Sequence, residues 1–164
     1  MPEGGESILG MRRIFLVGYM GVGKTVKGRI LAAQFGIDFV DLDEYIVSQT
    51  GKSISRIFAE QGENGFRMVE RQMLHHLCRE RQDVVVSCGG GTPCFFDNMD
   101  YMNSCGETIY LQADVSYILQ SLDSDDKERP LLHGLTGREL EDFVCRQLKE
   151  RDFFYRKAKK RWML

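Results

Sequence analysis

The chain lacks the features that would direct it to a membrane, a nucleic acid or an oxidising compartment. No apolar run approaches the length of a bilayer span. Neither sign of charge dominates: the formal net charge is −2, so no global field draws the protein to nucleic acid or an anionic surface. The cysteines Cys78, Cys88, Cys94, Cys105 and Cys145 are odd in number and scattered, with no C-x-x-C spacing. That pattern fits reduced thiols in a cytoplasmic protein better than a disulfide framework. No internal repeat, low-complexity tract or linker divides the sequence, and no Asn-Lys-x-Asp guanine-reading motif occurs. Residues 1–10 are Gly-rich, without a basic region followed by an apolar one, which excludes a secretory signal. They read as a disordered leader or expression remnant ahead of one domain over residues 11–164. With 164 residues, 43% hydrophobic and 28% charged, the chain is a soluble globular domain large enough to bury a sizeable core.

What is present centres on Gly18-Tyr19-Met20-Gly21-Val22-Gly23-Lys24-Thr25. The run follows an apolar stretch, Ile14–Val17, and opens a segment with helical character from Val26 to Phe35. This is the G-x-x-x-x-G-K-[ST] pattern in its strand, loop, helix context. Glycines let successive backbone N–H groups turn inward on a phosphate chain, and the positive end of the following helix adds to the attraction. Lys24 can reach the outer phosphates and the Thr25 hydroxyl can ligate Mg²⁺.

A second strand is expected at Asp38–Asp41, ending in Asp41-Leu42-Asp43. Residues two apart in extended backbone share a side, so both carboxylates can face the crevice beyond the strand ends. Beside a phosphate loop they suggest a Mg²⁺ partner and a group that orients or deprotonates an acceptor hydroxyl; the alternative is a solvated turn or a helix cap. Helical spacing covers residues 53–61 and 63–79, broken at Gly62. Arg67 and Glu70 lie three apart beside the apolar stripe, placed to pair and hold the guanidinium, unless the pair is merely solvated. His75, His76 and Cys78 have no second ligand cluster and read as ordinary helix residues. Val84-Val85-Val86 predicts a strand buried on both faces, running into Gly89-Gly90-Gly91, where a ligand could lie against backbone; a flexible connector is the alternative. A fourth strand is expected at Thr108–Leu111 and a helix over about 114–122. The polar stretch from Asp123 to Gly134 predicts a mobile lid over about 122–137, with Arg129 as its candidate contact to a transferring phosphoryl group. The last helix, about 138–160, has Arg151 and Tyr155 continuing the buried line of Leu140, Val144 and Leu148, which points to an anion site.

Together these residues resemble the shikimate kinases, small-molecule kinases of the P-loop class, over about residues 13–158. The resemblance rests on the glycine loop, Asp41-Leu42-Asp43, the Gly62-Glu-x-x-Phe-Arg67-x-x-Glu70 block, Gly89-Gly90-Gly91, Arg129-Pro-Leu-Leu132, and Arg151 followed by Tyr155. It implies a three-layer α/β/α P-loop fold with a short central parallel sheet. It also implies ATP-dependent phosphorylation of the shikimate 3-hydroxyl on the route to chorismate and aromatic amino acids, by a cytoplasmic monomer. By motif position, Gly18, Gly21, Val22, Gly23, Lys24, Thr25 and Val26 would hold the nucleotide, and Thr25 and Asp41 would serve Mg²⁺. Asp43 would receive the acceptor hydroxyl. Arg67 and Arg151 would clamp the carboxylate, with Glu70 steadying Arg67, Phe58 and Phe66 walling the pocket, and Gly89 to Gly91 meeting the ring hydroxyls. Lys24, Asp43 and Arg129 would carry catalysis.

The sequence departs from the family at Val26, where a second hydroxyl residue is frequent, at Ser121-Leu122, where an arginine often packs on adenine, and at Asp152, where proline is frequent. With the last helix reaching about Lys160 and the chain ending at Leu164, no residues remain for the family's fifth strand and adenine loop. Rival readings are another metabolite kinase on this scaffold, such as a gluconate-kinase-like enzyme, or a non-catalytic nucleotide-binding regulator.

Overall fold

A computed structural model describes residues 12–123, 132 and 134–164. Five parallel strands form one sheet in the order β2-β3-β1-β4-β5. They are β1 Arg13–Val17, β2 Asp38–Asp41, β3 Val84–Ser87, β4 Glu107–Gln112 and β5 Lys160–Met163. The helices between them are α1 Lys24–Phe35, α2 Leu42–Thr50, α3 Ile54–Glu80, α4 Asn98–Cys105, α5 Val115–Asp123 and α6 Gly137–Tyr155. Parallel pairing demands helical crossovers that cover the faces, so the central strands are buried on both sides. All four residues of β3 are buried, as are Ile14 to Val17 of β1 and Thr108 to Leu111 of β4. The sheet and its helices make the α/β fold expected of the P-loop class.

The register decides where the site can form. Asp41 pairs with Ser87 and Leu16 with Ser87, so the carboxyl ends of β1, β2 and β3 finish side by side. In parallel α/β sheets that edge is where ligands bind. Helix α3 keeps its break: Gly62 has φ 72° and ψ −177°, a conformation that interrupts the helix between Phe58 and Phe66.

Two expectations need correction. The last helix stops at Tyr155, not near Lys160: the Lys157 and Ala158 amides bond three residues back to Phe154 and Tyr155, tightening the chain into a turn. The residues freed by that turn form the fifth strand that seemed to have no room. Strand β5 pairs with β4 from Ile109↔Lys160 to Gln112↔Met163. Asp43, moreover, is not in extended backbone; it lies in the first turn of α2, which Asp41 caps by accepting from the Glu44 amide at 3.2 Å. The expected leader at residues 1–10, and Arg129 with most of the lid, lie outside the described residues.

Candidate active site

The loop between β1 and α1 is built on backbone conformations that favour glycine: φ is 147° at Gly18, 84° at Gly21 and 86° at Gly23. A side chain at Gly18 would also meet the Leu111 carbonyl oxygen at 2.6 Å. Lys24 opens α1, buried, and its Nζ donates to the carbonyls of Gly18 at 2.6 Å and Tyr19 at 2.9 Å. The ammonium is thereby fixed at the loop. The Thr25 hydroxyl donates to Asp41 Oδ2 at 3.1 Å and lies 3.5 Å from the Ser87 hydroxyl. These are hard oxygen donors side by side, the chemistry Mg²⁺ prefers. Ser87 was not singled out in the sequence, because only the β2–β3 register brings it opposite Asp41.

A cavity of about 650 Å³ is lined by Gly21, Gly23, Lys24, Thr25 and Val26 on one side and by Asp41, Asp43, Ser87, Gly89 and Gly90 on the other. Asp43 thus lines the same cavity as the phosphate loop, although from a helix.

The triple glycine joins this cavity to the arginines. A Cβ at Gly89 would lie 3.4 Å from both Asp43 Oδ1 and Glu70 Oε2. At Gly90 it would lie 3.1 Å from an Arg151 Nη1 and 3.3 Å from the Met20 amide nitrogen of the phosphate loop. At Gly91 it would overlap the Arg67 guanidinium, 2.4 Å from Nη2. The absence of side chains here lets two guanidiniums, two carboxylates and the phosphate loop crowd one stretch of backbone.

Arg67 and Glu70 are both buried, at 4% and 0% exposure, so theirs is no solvated surface pair. Arg67 Nη1 donates to Glu70 Oε1 at 3.1 Å, and Thr92 Oγ1 donates to Glu70 Oε2 at 2.7 Å. Burial pushes the Glu70 carboxyl above its ordinary range, while Arg67 and the Thr92 hydroxyl pull it back. The Arg67 guanidinium also lies over Phe95 (4.3 Å) and Phe66 (5.1 Å), and Phe66 packs on Phe58 at 4.7 Å. Arg151, also buried, sits 5.7 Å over the Tyr19 ring, while Tyr155 donates to the Gly90 carbonyl. Arg67 Nε and Arg151 Nη1 are buried without a hydrogen-bond acceptor. Neither arginine lines the cavity itself, but both abut the glycine backbone that runs from it, and two such donors on adjoining residues are placed to bind an anion.

Thr92, Phe95 and Tyr19 belong to this cluster, yet no periodicity marks them. Thr92 opens and Phe95 follows a short 3₁₀ turn, Thr92–Cys94, fixed by Asn98 Nδ2 donating to the Thr92 carbonyl. Of the departures, Asp152 accepts from the Tyr110 hydroxyl at 2.7 Å and pairs with Arg156, a structural use for a residue that replaces proline. Leu122 approaches the phosphate loop: a Cβ at Gly21 would lie 3.3 Å from it.

The family model described as "Shikimate kinase" matches residues 20–164. The chain is 49% identical over 149 residues to a curated shikimate kinase from Phocaeicola vulgatus, covering 91% of this chain and 85% of that protein. Its structure superposes with a TM-score of 0.89 on crystalline shikimate kinase from Bacteroides thetaiotaomicron, at 42% identity, covering 93% of this chain and 86% of that one. A shikimate kinase from Acinetobacter baumannii, solved in complex with shikimate, gives a TM-score of 0.84 at 37% identity, covering 93% of this chain and 83% of that one.

Proposed function

The chain belongs to the shikimate kinase family, and on that premise we propose how its residues carry ATP-dependent phosphorylation of the shikimate 3-hydroxyl. The carrying observation is the triple glycine, where the Met20 amide of the phosphate loop and the Arg151 guanidinium approach one position. A nucleotide's phosphates and an acceptor's carboxylate can therefore be held a few bonds apart in one cleft.

In this reading the loop amides and Lys24 hold the β- and γ-phosphates of ATP. Thr25 and Asp41 hold Mg²⁺, which supplies neutralisation of the phosphate charge. The shikimate carboxylate lies between Arg67 and Arg151, and its hydroxyls point toward Asp43 and the glycine backbone. Asp43 accepts the hydrogen bond, and then the proton, of the hydroxyl that attacks. Arg129 is assigned to the transferring phosphoryl group by its place in the sequence alone. Phe58 and Phe66 exclude water from the ring face. We also propose a cytoplasmic enzyme, which the odd number and scattered spacing of its cysteines favour, working as a monomer.

An ATP-coupled assay with shikimate, gluconate and other hydroxy acids tests the substrate. The expected outcome is turnover with shikimate far above every other acceptor. A better acceptor lacking the carboxylate would move the chain to another metabolite kinase activity, and nucleotide binding without single-turnover transfer would make it a regulator. Gly91→Ala tests the carboxylate side by itself. Its methyl must displace the Arg67 guanidinium, so the KM for shikimate should rise roughly 5- to 150-fold, the effect of about 1–3 kcal/mol of overpacking. The KM for ATP should stay put; an equal rise in both would place Gly91 outside the acceptor site.

A further inference from the structure

The cleft occupies the carboxyl ends of the strands, and the opposite end of the sheet holds a cluster that the kinase reaction does not use. Cys78 lies near the end of α3, and Cys105 is the last residue of α4, just before β4. One guanidinium pins both. Arg13 donates from Nη2 to the Cys78 carbonyl at 2.8 Å, from Nη1 to the Cys105 carbonyl at 3.1 Å, and from Nε to the Arg81 carbonyl at 2.8 Å. The Cys105 thiol donates to the Met102 carbonyl at 3.9 Å, and Cys78, Cys105 and Tyr101 lie close enough to shift one another's ionisation. Tyr101 is held by stacking on His75, with ring centroids 3.7 Å apart and planes 11° apart.

The pair is asymmetric. Cys78 is buried, and the neighbouring Cys105 thiol and burial push its pKa up. Cys105 is half-buried, and the Cys78 thiol beside it brings its pKa down against the effect of burial, helped by the Arg13 and Lys159 charges. A reachable thiolate beside a protonated partner thiol is the arrangement of an attacking and a resolving cysteine.

We propose that Cys78 and Cys105 form an oxidisable dithiol, closed to an intramolecular disulfide by low-molecular-weight disulfides such as glutathione disulfide. The Cys105 thiolate attacks one sulfur of glutathione disulfide, whose S–S bond breaks and releases one glutathione thiolate. Cys78 gives its proton to solvent and attacks the Cys105 sulfur. That mixed disulfide breaks, and the second glutathione leaves. Two thiols lose two electrons in all, and one glutathione disulfide becomes two glutathiones. The new bond ties the carboxyl ends of α3 and α4 without touching the cleft.

The test is incubation of the full chain with glutathione disulfide, followed by intact-mass measurement and tandem mass spectrometry of tryptic peptides. The expected result is a loss of about 2 Da with no retained glutathione and a Cys78–Cys105 link, reversed by excess reduced glutathione. The link should persist in a Cys94→Ser, Cys145→Ser double variant and vanish in Cys105→Ser. The double variant leaves both partners untouched, so the answer does not depend on folding of the Cys105 variant. A bond between other cysteines, a glutathione adduct that persists on Cys105, or no oxidation at either residue would overturn the proposal.

Discussion

Replacing Asp43 with Asn is expected to lower kcat by about 10²–10⁴-fold, the usual range for losing a general base. ADP binding should remain near normal. The asparagine keeps the shape of the side chain in the first turn of α2, so the cavity between the phosphate loop and the glycine backbone should keep its form. What is removed is its negative charge and, in the proposed mechanism, the acceptance of the hydroxyl proton. Because Asp41, two residues earlier, caps α2 and accepts from Thr25, a change at Asp43 could spread to the nucleotide side. Measuring ADP affinity by calorimetry alongside single-turnover rates separates these effects. A variant that turns over at the parental rate would remove Asp43 from the chemistry.

Arg151→Ala should weaken shikimate binding by about 2–5 kcal/mol, or roughly 30- to 4,000-fold in Kd, as expected for truncating one partner of a buried charge contact. The guanidinium is 6% exposed, one of its nitrogens has no acceptor, and it abuts Gly90. Truncation also opens a void beside Tyr19, so thermal stability should fall together with affinity. Titration of shikimate into folded variant protein, monitored by calorimetry, is the measurement. An unchanged Kd would place Arg151 outside the site and leave its burial without a functional use.

Much of this architecture was legible because its signals are local. The phosphate loop is contiguous in sequence and needs only its own φ angles and the following helix. Arg67 and Glu70 stood out as a pair three apart beside an apolar stripe, and Arg151 because a charged residue on the apolar line of a helix is costly unless something meets it. What escaped notice depends on contacts between distant segments. Strand β5 has no alternating pattern, with Lys160 and Arg161 continuing a basic run that resembles a helix end; it becomes a strand by pairing with β4. The helix containing Asp43 was hidden because Asp41-Leu42-Asp43 satisfies the extended reading equally well until the Asp41 cap is seen. Thr92 and Phe95 sit on an irregular turn, where neither helical nor strand periodicity applies.

The Arg67–Glu70–Thr92 chain has a consequence for electroneutrality. Arg67 is met by Glu70 at 3.1 Å and by the half-exposed Glu63 at 3.5 Å, whereas among the described residues no carboxylate pairs with Arg151. Arg151 is thus the guanidinium left for an acceptor's carboxylate to meet. A dianionic acceptor would bring surplus negative charge into a region shielded from water, and a neutral polyol would leave the excess cation unmet. The pocket therefore counts charge before it reads hydroxyls, and an amide of the same acceptor, identical in outline, should be refused.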